Sequence, residues 1–161
     1  MKIYSANPLG FSESGRLFLK EKIKPMLIEL GFEILDPWKE FEGLSEEEIN
    51  KGELSDEERL SIGKKNEEML EKADIVLAIL DGPDVDSGTS AEIGYAYAKG
   101  KRVIGYRGDL RKSGEDIVNL QIETFIIESG GKITRSLNEL KEELWNYTRH
   151  LNDKKKKQTM Q

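Results

Sequence analysis

The sequence predicts a doubly wound α/β domain, a parallel sheet of about five strands with helices on both faces. Three observations predict it. Short β-like runs alternate with stretches of helical apolar spacing along the chain. Glycine, proline or asparagine closes most of these segments. Ile75-Val76-Leu77-Ala78-Ile79-Leu80 is apolar without interruption. A strand with one wet face alternates, whereas an unbroken run suits the central strand of a parallel sheet, buried on both sides.

In order, Ile3 to Ala6 is a first strand, ended by Asn7-Pro8-Leu9-Gly10. Ser12 can cap a helix running toward Leu30, with Leu17, Phe18, Ile23, Leu27 and Leu30 at helical intervals. Pro25 should kink or divide it, and Gly31 ends it. Phe32 to Leu35 is a second strand, stopped by Asp36-Pro37. Trp38 to Ser55 is acidic and long for a connection, which suits a loop or short helix over a site. Asp56 to Lys72 is a helix, expected to turn Leu60, Ile62, Met69 and Leu70 inward. After the central strand and the loop Asp81 to Gly88 comes a helix from Ser90 to Lys99. Arg102 to Tyr106 is a fourth strand, followed by a loop to Gly114. Val118 to Ser129 reads as helix because Gly130-Gly131 is a strong stop. Lys132 to Thr134 is a short fifth strand, and Ser136 caps a last helix with Leu137, Leu140, Leu144, Tyr147 and Leu151 on one face. This is a flavodoxin- or Rossmann-like pattern, in which ligands bind beyond the carboxyl ends of the strands. A single domain is expected over 1–151, with residues 152–161 as a basic, disordered tail.

Composition narrows the chemistry. The 161 residues suit one domain. Net charge −6 gives no general attraction for nucleic acid polymers or anionic membranes, so neither is expected as a partner. Lys154 to Lys157, the one dense basic run, reads as a solvated tail. There is no cysteine, which excludes thiolate catalysis and Cys-ligated zinc, and a single histidine, His150, on a charged helix. No metal or cofactor is expected. No signal-peptide or membrane-spanning pattern is present, and a cytoplasmic location is the expectation.

The informative stretch is Asp81 to Ala96. It leaves the buried strand, groups three aspartates in a Gly/Pro loop and enters a helix carrying Glu92. With Thr89 as N-cap, Glu92 is the third helical residue. One reading is a Thr-x-x-Glu capping box, with the aspartates as turn residues. The other is a catalytic carboxylate held anionic by the helix start, with Gly88, Ala91 and Gly94 leaving room for a ligand. No Gly-x-Gly-x-x-Gly follows the first strand and no phosphate-binding Gly-Lys-Ser/Thr loop is present. A site dominated by carboxylates suits glycosidic bond cleavage.

These residues resemble the nucleoside 2-deoxyribosyltransferase family. The likeness rests on Tyr4, Asn7-Pro8-Leu9-Gly10-Phe11-Ser12, Asp36-Pro37-Trp38, Leu80-Asp81-Gly82, and above all Asp86 to Ala96 with its Asp-x-Gly-x-x-x-Glu-x-Gly-Tyr-Ala core. Asn119-Leu120-Gln121 and Ser129 to Ile133 extend it to about residue 140. The resemblance implies that Glu92 attacks C1' of a deoxyribose and that Tyr4 holds its carboxylate. It implies that Asp86 contacts the base or orients the site. Asn119 would reach across a subunit interface to the sugar 5'-hydroxyl in a homo-oligomer, dimer or hexamer. Gly10, Phe11, Gly88 and Trp38 join Asn66 and Asn119 as expected substrate-binding residues. At one place the chain departs from the family pattern. Counting back without gaps from Glu92, Asn66 stands where the family commonly has a proton-donating aspartate, so the acid role falls to Asp86, Asp81 or a water.

The implied reaction moves deoxyribose between free nucleobases by a retaining double displacement through deoxyribosyl-Glu92. The alternative is hydrolysis of deoxynucleosides or their 5'-monophosphates, for which Ser12, Ser14 and Arg16 could bind phosphate. A third reading is a non-catalytic nucleotide-binding module.

Overall fold

The computed structural model describes residues 1–41, 55–112 and 118–159. Most of the acidic connection after Trp38 and part of the loop after Arg107 lie outside these residues. Five strands form one parallel sheet: β1 (Lys2–Ala6), β2 (Glu33–Leu35), β3 (Ile75–Ile79), β4 (Arg102–Tyr106) and β5 (Ile133–Thr134), in the order β2-β1-β3-β4-β5. That order reverses direction between β1 and β3, the switch point at which doubly wound sheets open a crevice.

The strands divide their side chains between two layers, as a period of two requires. On β3, Ile75, Leu77 and Ile79 face a core with Ile3, Leu27, Ile104, Leu140 and Leu144. Val76 and Ala78 face the other, with Tyr4, Leu70, Ile93, Val103 and Ile126. The first layer is covered by α1 (Glu13–Phe18), α2 (Lys24–Glu29) and α6 (Leu137–Thr159). The second is covered by α3 (Asp56–Lys72), α4 (Ser87–Ala98) and α5 (Leu120–Glu128). The doubly wound sheet is thus as the sequence predicts. The last helix continues to Thr159, through most of the stretch read as a tail.

Two apolar patterns differ from expectation. Between α1 and α2 the chain makes a π-helical turn, Leu19–Ile23, just ahead of Pro25. The wider turn hosts a ring that cannot donate into an α-helical ladder and shifts the helix phase. Leu19 and Ile23 are buried and Leu17 is left exposed. On α3, Leu70 is buried but Leu60 is 66% exposed. Only the C-terminal end of α3 packs on the sheet. Its middle borders the crevice.

Candidate active site

Tyr4 sits at the middle of β1, in register with Leu35 and Val76. Beside it, α4 starts just beyond β3 and lies over β1, β3 and β4. This places Glu92 directly at the phenol: Tyr4 Oη donates to Glu92 Oε1 at 2.5 Å. Among the described residues no backbone amide donates to Glu92, and no partner engages Oε2.

That freedom follows from a helix start different from the one expected. Asp86, not Thr89, is the N-cap of α4; its Oδ2 accepts the Thr89 N–H at 2.9 Å and the Thr89 hydroxyl at 3.3 Å. The helix begins at Ser87, so Glu92 falls in the second turn and the Thr89–Glu92 capping box does not form. Beyond the first turn the N–H groups are spent on intrahelical bonds and the helix dipole has faded. The electrostatics reverse accordingly. Burial above all pushes the Glu92 carboxyl up to about 7; the Tyr4 hydrogen bond pulls it down and the Asp86 charge pushes it up further. Tyr4 is raised far above the ordinary phenol range, first by burial, then by Glu92 and Asp36, and so remains a proton donor to the carboxylate.

Glu92 opens onto a cavity of about 350 Å³. Its polar side is made by Asp86, Thr89, Glu92 and Asn66, with Gly88 at the helix start. Its apolar side is Phe11, Pro37, Trp38 and Ile62. Trp38 Nε1 donates to the Asn7 carbonyl at 2.9 Å, and the Phe11 ring stands edge-on to the indole with centroids 4.6 Å apart. Gly10 serves this wall indirectly. A Cβ there would lie 2.0 Å from the Trp38 ring, so only glycine lets the indole lie flat against the chain.

The structure therefore gathers Glu92, Tyr4, Asp86, Asn66, Phe11, Trp38, Gly88 and Gly10 at one place. It does not bring in two others. Asp81 lines a separate cavity of about 610 Å³ and accepts the Asp109 N–H on Oδ1 at 2.8 Å. Asn119 is exposed and caps α5, accepting the Gln121 N–H at 2.9 Å. The candidate phosphate ligands are also engaged elsewhere. Ser12 Oγ accepts the Gly15 N–H, Arg16 donates to the Gly10 carbonyl, and Ser14 faces the separate cavity. Of the small residues on α4, Gly88 faces the cavity, while Gly94 faces the Phe125 ring.

Asn7, Pro37, Ile62 and Thr89 also line the cavity and are not among the site residues expected from sequence. Ile62 had a readable signal, since it lies four residues before Asn66 and so shares its helix face. Arg107 had none. It is fully buried at the end of β4, donating to the carbonyls of Leu80, Gly82 and Arg111.

Comparisons with known proteins bear on the family and the fold. The family model for nucleoside 2-deoxyribosyltransferase matches residues 3–143. A conserved protein from Enterococcus faecalis is similar in structure, with a TM-score of 0.71 at 25% identity over 91% of this chain and 98% of its own. A 2-deoxyribosyltransferase from Bacillus psychrosaccharolyticus gives 0.66 at 28% identity, over 88% and 90%. A CMP N-glycosidase from Clostridium botulinum gives 0.52 at 17% identity, over 91% and 99%, a likeness of fold alone. No curated protein matches the chain.

Proposed function

The chain belongs to the nucleoside 2-deoxyribosyltransferase family, and from that membership and the site's geometry we propose that it transfers 2-deoxyribose between nucleobases through a covalent deoxyribosyl-Glu92. N-glycosyl chemistry on nucleosides is the common ground of the family. The observation that carries the finer reading is the Tyr4–Glu92 pair at the cavity, with one carboxylate oxygen held and the other uncommitted.

Oε2 attacks C1' as the C1'–N bond to the base breaks, and the electron pair of that bond leaves with the base. Tyr4 holds Oε1 throughout, fixing the direction of attack. Asp86, which lines the cavity and whose Oδ2 is occupied by Thr89, is assigned the carriage of the proton to the departing base. Asp81 is dropped from that role because it faces the other cavity. Asn66 contributes an amide contact to base or sugar, and the Phe11–Trp38 wall takes the face of the ring. A second base then attacks C1' from the same side as the first departed, its ring N–H proton returns to Asp86, and Glu92 leaves as the carboxylate. Asn119 would complete the site of a neighbouring subunit in a cytoplasmic homo-oligomer. Among the described residues, no helix is long and apolar enough to cross a membrane.

Incubating deoxyinosine with and without adenine tests the reading. New deoxyadenosine is the expected product. Free hypoxanthine at a rate indifferent to adenine would assign hydrolysis instead. Trapping with a 2'-fluoro-substituted deoxynucleoside should add one sugar to Glu92 by mass spectrometry, and unmodified protein from an active preparation would overturn the covalent route.

A further inference from the structure

Just ahead of Pro37 and Trp38 in the chain, a buried carboxylate meets a partly exposed lysine, an ion pair that the reaction above does not use. Asp36, at the end of β2, is 5% exposed, and its Oδ2 lies 2.7 Å from Lys24 Nζ. The contact is one of charge: among the described residues no hydrogen bond is aligned on Oδ2. Oδ1 accepts the Trp38 N–H at 3.0 Å, and the Asp36 carbonyl accepts the Lys39 N–H at 3.2 Å. One side chain thus starts the 3-10 turn Pro37–Phe41 and fixes the backbone on which Trp38 is mounted.

From Trp38 the constraint continues into the crevice. Its indole N–H is held by the Asn7 carbonyl. Asn7 is itself tied to Ser5 and to the Leu9 N–H. The ring rests on Gly10 and meets the edge of Phe11. Lys24 reaches Asp36 from just behind the π-helical turn. A buried ion pair adds little net stability over an apolar pair of similar volume, because desolvation offsets the attraction. What it supplies is a fixed placement.

We propose that Asp36, held by Lys24, is a positioning residue that sets Trp38, and with it Phe11, as the surface receiving the nucleobase. The proposal rests on the functional reading above. Asp36 touches neither base nor sugar. It acts on ground-state binding of the base, so its loss raises KM more than it lowers kcat.

The test uses the full chain with Trp145→Phe, which leaves Trp38 as the sole tryptophan. Asp36→Ala removes the ion pair and the acceptor together. Asp36→Asn keeps an acceptor for the Trp38 N–H. Losing an aromatic wall should raise KM about tenfold in Asp36→Ala with kcat changed less than about threefold, and Asp36→Asn should recover most of the loss. Trp38 emission should shift to the red in Asp36→Ala and return in Asp36→Asn. Should Asp36→Ala fail to fold, the charge-neutral pair Lys24→Met/Asp36→Leu replaces it, with the same expected KM and emission changes. An unchanged KM with unchanged emission overturns the proposal, as does an equal fall in kcat from both Asp36 variants. If the Trp145→Phe parent exchanges no bases, the functional reading fails. The emission series then still decides whether Asp36 places Trp38.

Discussion

Two cavities flank the loop that follows β1, and the larger is the less reactive. The cavity of about 610 Å³ is lined by Asp81, Asp109 and Arg111, which are tied to one another. Asp109 takes the Gly82 N–H and the Arg111 guanidinium, Asp81 takes the Asp109 N–H, and Arg111 holds the Asp109 carboxyl well below the usual range. The cavity of about 350 Å³ holds a carboxyl pushed the opposite way, to about 7, with one oxygen unengaged among the described residues. Volume does not separate the two. The direction in which the carboxyl is pushed does, and carboxyls raised by burial in a cavity are candidates for functional sites.

The sharpest way to break this contrast is to remove the uncommitted oxygen. Glu92→Gln should cut base exchange by at least about a thousandfold while circular dichroism stays native. Tyr4→Phe comes next. It frees the carboxylate from its one described anchor and should lower kcat by roughly ten- to a hundredfold. It should also raise the Glu92 carboxyl further, since the lost hydrogen bond pulls it down.

A pH profile sharpens the same point. A nucleophile must be ionised, so kcat/KM should fall as pH drops through about 7, and this limb should move to higher pH in Tyr4→Phe. A limb near 4.5 in both would refute the effect of burial. Stability carries the opposite sign. The folded carboxyl keeps its proton where the unfolded one releases it. Its contribution is therefore complete below about 4.5 and is lost as pH rises through about 7. Glu92→Gln should thus be more stable than wild type at pH 8, on the order of 2–3 kcal/mol, with the advantage vanishing near pH 4. Urea titrations at both values check it. The smallest effect belongs to the other cavity: Asp81→Asn should change kcat/KM less than about threefold, because Asp81 meets no reacting group.

The sequence disclosed the sheet more readily than the site. An apolar run such as Ile75 to Leu80 has one comfortable setting, and glycines mark where helices must stop. Glu92 and Asp86 were legible because they share a motif, and Asn66 because the resemblance places it by counting back from Glu92. The register of α4 was not. Asp84, Asp86 and Thr89 could each cap a helix, and the choice is made by packing that a linear reading does not contain. Asp81 was misplaced for a related reason. It neighbours the aspartates of the site in sequence, but β3 releases it toward the opposite side of the crevice. Gly88 and Gly94 looked alike in the sequence. Six residues at 100° each put them on different faces of the helix, one toward the cavity and one toward Phe125. Leu60 followed the apolar pattern of α3 yet stays exposed, since that helix docks on the sheet only near Leu70.

The indole seated on Gly10 also limits how this crevice could be remodelled. Position 10 tolerates no added atom, so the Trp38 side is a fixed boundary. Room for a bulkier heterocycle has to be cut elsewhere in the lining, at Ile62, which is half-buried on a helix with little of its length in the core. Enlargement by trimming that isoleucine would cost the fold little, whereas the same volume taken from the tryptophan would dismantle the loop beneath it.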